Sequence, residues 1–84
     1  MSYVTFTDDK SITPNRAIVT NVVIRGGADS VVNVCDGDSN TDPVVLPLAV
    51  KSGDTVSISG RIAFNTGVYV EVVSGTVVGT VIYE

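Results

Sequence analysis

Apolar and polar residues alternate with a period of two along most of the chain, and glycine, proline and Asx residues interrupt the alternation at short intervals. That pattern marks short half-buried strands separated by turns. Residues 3–7 read as a short edge strand, followed by loop chemistry at 8–11 and 13–15. Residues 17–25 predict a long strand, with Ile18, Val22 and Ile24 on one face and Ala17, Val19, Asn21 and Val23 on the other. The next strand, 30–35, turns Val32 and Val34 inward and places Cys35 on the opposite face.

Residues 44–51 are apolar on both faces. Val44, Leu46, Leu48 and Val50 share one parity, Val45 and Ala49 the other. Pro47 has no N–H for a ladder, so this strand belongs at a sheet edge or carries a bulge there. A strand at 55–59, with Val56 and Ile58 inward, extends through 61–64. Residues 68–73 and 76–83 read as a closing hairpin across Ser74 and Gly75, with Val72 opposite Val77 and Val68 opposite Val81. Its core face then holds Val68, Val70, Val72, Val77, Val81 and Tyr83, with Gly79 making room, while Tyr69, Glu71, Val78, Thr80 and Ile82 face out; a glycine bulge at Gly75 would shift the register by one and put Val78 and Ile82 inside instead. About seven or eight strands at this spacing predict an all-β, antiparallel β-sandwich with Greek-key or jelly-roll connections.

Composition agrees. The 84 residues include 18 valines, 9 threonines and 6 isoleucines, all suited to strands, and no glutamine. The length fits one domain, residues 1–84, with a thin core. Cys35 is the only cysteine, so no disulfide staples that core. The first ten residues lack the basic and apolar regions of a signal peptide, and no apolar run reaches the roughly 20 residues that span a bilayer. The expectation is synthesis in the cytoplasm without a signal of its own and no membrane partner. The five cations stand singly in a chain of net charge −4, which argues against a nucleic-acid partner.

Candidate chemistry is sparse. With no histidine, serine and cysteine triads are excluded, and one cysteine is too few for a zinc site. Cys35 itself reads as a small, semi-buried apolar residue. All seven aspartates fall in predicted turns, where Asx hydrogen bonds account for them. The run Asp36-Gly37-Asp38-Ser39-Asn40-Thr41-Asp42 resembles a calcium loop only at its start. Thr41 stands where the sharp turn needs glycine and Pro47 where a closing carboxylate belongs, so a plain solvated loop is the better reading. Tyr3, Tyr69 and Tyr83 offer either a sugar-stacking face or ordinary half-buried sheet positions. No catalytic, cofactor or metal residue is assigned, and a non-enzyme is expected.

The unexplained feature is apolar surplus. Val45, Ala49, Val73, Val78 and Ile82 occupy the non-core parity, and no helix is available to cover them. They form the candidate self-association or partner face.

Residues 32–37, ending in Cys35-Asp36-Gly37, then 64–70 and the closing Val81-Ile82-Tyr83-Glu84 together resemble small β-sandwich virion proteins of tailed bacteriophages, of the capsid decoration or cement type. Cys35 stands where such proteins commonly carry an aromatic. The resemblance implies a non-enzymatic structural role on the capsid exterior of a virion. Copies, often trimers, would bind the major capsid protein or another virion protein and reinforce the shell. Two alternatives stay open: a tail or fibre module binding a host glycan, and a small inhibitor or host-takeover binding protein.

Overall fold

The computed structural model describes residues 1–84 and contains eight strands and no helix. They are β1 (Ser2–Phe6), β2 (Lys10–Thr13), β3 (Ala17–Gly26), β4 (Ser30–Asp36), β5 (Val44–Val50), β6 (Thr55–Phe64), β7 (Val68–Ser74) and β8 (Val77–Tyr83). Two antiparallel sheets of four form in the orders β1-β8-β3-β6 and β2-β7-β4-β5. Strands therefore pair first with last: β1 with β8, β2 with β7, β3 with β6 and β4 with β5. This is a long antiparallel ribbon wrapped into two layers, the jelly-roll arrangement. Only β4 and β5 are consecutive strands within one sheet, and every other connection crosses between sheets.

That crossing corrects the predicted closing hairpin. β7 and β8 are not paired; they lie in different sheets, with Ser74-Gly75-Thr76 carrying the chain between them. Gly75 makes the corner with φ +88°, and a Cβ there would lie 2.1 Å from Ser30 Oγ. The side-chain faces nevertheless follow the sequence pattern. Val68, Val70, Val77 and Val81 are buried, while Val78 is 55% exposed. Inward parity is the same whether two strands face each other across a core or adjoin in a sheet, so parity alone does not distinguish the two.

β2 is a second correction, because residues 10–11 pair with β7 rather than forming loop. Lys10 and Ser11 face solvent, and only Ile12 and Thr13 are buried, which leaves too little alternation to read. β3 is a third. Thr20 has no direct partner on either side: β8 passes it between Tyr83 and Ile82, and β6 sets both Gly60 and Arg61 against it, so the ladder is bulged there and the inward parity of β3 changes. Ala17 and Val19 point inward before the bulge and Val22 and Ile24 after it, while Ile18 lies on the outer side, half-buried. Thr20 Oγ1 donates to the Ile82 carbonyl at 3.2 Å, holding the irregularity in place.

The core comprises 14 buried apolar side chains drawn from all eight strands, with Phe6 and Phe64 the only aromatics. It is not equally closed on both sides. β1 and β2, joined by the short connection 7–9, seal one side with Phe6 and Ile12. On the other side β5 and β6, joined by 51–54, leave Val45, Leu46, Leu48, Val56, Ile58 and Ile62 only partly buried. The sandwich has an open apolar seam along β5 and β6.

Candidate interaction surfaces

Several polar side chains that could have carried chemistry are committed to the fold. Asp36 ends β4 and accepts three backbone N–H groups from the turn before β7: Thr66 at 2.8 Å, Asn65 at 3.1 Å and Gly67 at 3.4 Å. Those donors, Thr66 first, hold its carboxyl below the ordinary carboxylate range. Asp42 closes the loop after β4. Its Oδ2 accepts the N–H of Asp38 at 2.9 Å, the N–H of Ser39 at 3.1 Å and the Ser39 hydroxyl at 3.2 Å. The carboxyl again lies below its usual range, chiefly through the Asp38 N–H. The loop that resembles the start of a calcium site thus turns a key oxygen onto its own backbone.

Asp9 and Asp29 do similar work at the opposite end of the sandwich. Asp9 Oδ1 accepts the Val72 N–H at 2.8 Å, and Asp29 Oδ1 accepts the Ser52 N–H at 3.0 Å. Arg61 and Glu84 form an exposed ion pair. No group of three or more His, Cys, Asp or Glu residues is placed to hold a metal ion.

Cys35 is fully buried, on the outer side of its sheet, paired with Tyr69 of β7 and Val44 of β5. Burial, reinforced by Glu71, Asp42 and Asp9, pushes its thiol up, so it stays protonated and unreactive at neutral pH. Burial pushes the Tyr69 phenol up as well, with Asp9 and Glu71 adding to the shift. The three tyrosines do not converge. Tyr3 is on the outer face of the first sheet, Tyr69 on the outer face of the second, and Tyr83 packs against the core. A stacking platform for a sugar is therefore not assembled.

The five candidate partner residues also separate. Ala49 and Val73 lie on the second sheet, Ala49 opposite Val31, with Val31 40% and Val73 53% exposed. Val78 and Ile82 lie on the outer face of the first sheet, on β8, with Thr80 between them. Val45 belongs to neither patch: it is the extra residue of a bulge opposite Val34 and Cys35, and it packs against the core at the seam. The alternation identified outward residues but not which sheet each belonged to. The seam itself was legible only in part, through the two-faced apolar pattern around Pro47.

Comparison with family models, with curated proteins and with solved structures returned no match.

Proposed function

We propose that the chain is a non-catalytic assembly subunit, one that binds the outer surface of a tailed-phage capsid as a decoration protein and reinforces it. The observation that carries this reading is the placement of surplus apolar surface. Val31 stands exposed on the outer face of one sheet, with Val73 exposed at the β7 bulge opposite it, and Val78 on the outer face of the other, so one molecule can touch two neighbours at once. A reinforcing protein needs that property, and an enzyme does not.

Two further points support the reading. The carboxylates that could have served catalysis are spread over both ends of the sandwich and several are tied to backbone N–H groups. The net charge of −4 suits the exterior of a shell better than an inner wall facing packaged DNA. Jelly rolls also occur in lectin domains, so the architecture alone does not choose between a shell and a glycan. The dispersed tyrosines disfavour the glycan.

Co-sedimentation of the purified protein with capsids of the phage that encodes it tests the proposal. Saturable binding is expected, weakened about tenfold or more by Val73→Asp or Val78→Asp, since buried apolar anchors carry interface energy. Both variants should melt within a few degrees of the wild type, because these side chains lie outside the core. Absence of capsid binding by the folded wild type would overturn it.

A further inference from the structure

We propose that two copies of this chain join through the free edge of β6, antiparallel about a two-fold axis at Ser57, so that their four-stranded sheets become one sheet of eight strands. This stands apart from the capsid reading and rests on the open seam.

The molecule has four strand edges, and three are unsuited to pairing. β5 carries Pro47 in mid-strand, where it offers no N–H. β2 has four residues, begins with Lys10 and is irregular in register. β1 has five. β6 has ten, is bonded only to β3, contains neither proline nor lysine, and is regular over Thr55–Ser59, its irregularity falling beyond at Gly60 and Arg61. From Thr55 to Gly60 it is uncharged.

The pattern on that edge is complementary to itself. Residues directly opposite in an antiparallel pair point to the same face, so a two-fold pairing must centre on a residue and not between two. Centred on Ser57, Val56 of each copy meets Ile58 of the other on the core side, and Thr55 meets Ser59 on the outer side. Asp54 then faces Gly60 and comes beside Arg61 of the second copy, so opposite charges adjoin and like charges are kept apart. Val56 and Ile58 are half-buried in one copy, and a second β6 laid alongside covers them. Two thin cores merge into one, which relieves the marginal stability of an 84-residue domain. A two-fold contact closes at two copies, where the family resemblance implied three.

Sedimentation at micromolar concentration should give about twice the 8.7 kDa chain mass. The two-fold axis makes a specific demand on residue 57, which meets itself. Ser57→Lys and Ser57→Glu should each weaken the dimer by about fivefold or more, from like charges brought about 4 Å apart. A mixture of the two variants should restore it as a heterodimer. Ser57 is exposed, so both variants should stay folded, melting below the wild type only by what dimerisation adds, and that deficit should disappear in the mixture. As an independent readout, Ser57→Cys in a Cys35→Ala background should form a covalent dimer on mild oxidation, and Thr5→Cys in the same background should not. A wild-type monomer or trimer would overturn the proposal, as would a dimer indifferent to charge at position 57.

Discussion

Replacing Gly79 with alanine would place a methyl group against the ring of Phe6. The new Cβ would lie 2.4 Å from Cζ, 2.6 Å from Cε1 and 3.1 Å from Cε2, well inside contact distance. Phe6 ends β1 directly opposite Gly79 and is only 2% exposed, so the ring has no free space to enter. Overpacking of this kind costs about 1–3 kcal/mol. The lost backbone freedom of glycine offsets roughly 0.5–1 kcal/mol of that. A net loss centred on about 1 kcal/mol and reaching about 2.5 kcal/mol remains, at roughly 4–8 °C of melting temperature per kcal/mol for a domain of this size. Gly27→Ala is the control: its Cβ meets only Thr76, no closer than 3.6 Å, and should be nearly neutral. Urea unfolding of both variants gives the comparison. Phe6→Leu removes the ring's far end and should partly rescue Gly79→Ala, with a coupling of about 1 kcal/mol in a double-mutant cycle. If Gly79→Ala costs no more than Gly27→Ala, the ring does not rest on Gly79, and the pairing of β1 with β8 is wrong.

Other outcomes follow from the loops. Asp36 and Asp42 have lowered folded pKa values, so their contribution is present above the unfolded value of about 3.9 and is lost as pH falls below it. Urea midpoints should drop between pH 4 and 2.5, and Asp36→Asn should flatten that drop while lowering stability at pH 7; parallel profiles would contradict the role given to Asp36. Thermal melts in calcium and in chelator should coincide, because Asp42 Oδ2 is occupied by Asp38 and Ser39; a rise of several degrees with calcium would show that the loop opens to an ion. Gly75→Ala should destabilise by about 1–3 kcal/mol, through positive φ and the contact with Ser30, and a neutral result in urea unfolding would remove the sharp corner between β7 and β8.

Where alternation is regular, the chain is legible. Val32 and Val34 in β4, Val68 and Val70 in β7, and Val77 and Val81 in β8 all point inward as their parity indicates. Pro47 marks a true edge. Long-range pairing is what the pattern conceals, because two strands from facing sheets bury the same parity as a hairpin, and β7 and β8 are such a pair. Bulges conceal more. Thr20 reverses the inward face of β3, and the extra residue at Val45 moves that side chain from the outer face to the seam. The surplus of apolar residues was therefore readable as a total, but its division among two faces and a seam depends on which strands adjoin. Cys35 follows the same logic: its outward parity is visible, whereas its full burial depends on which strands flank β4, with Tyr69 and Val44 standing opposite it.

The capsid proposal makes this chain a repeated structural component of a particle, with no chemistry of its own. Quantitative mass spectrometry of purified, nuclease-treated virions of a phage whose genome carries this sequence tests that proposal most directly. The account predicts a copy number of the same order as the major capsid protein, retained through density-gradient purification. Absence from the particle, with abundance confined to the lysate of infected cells, would contradict it and would favour a host-directed binding protein.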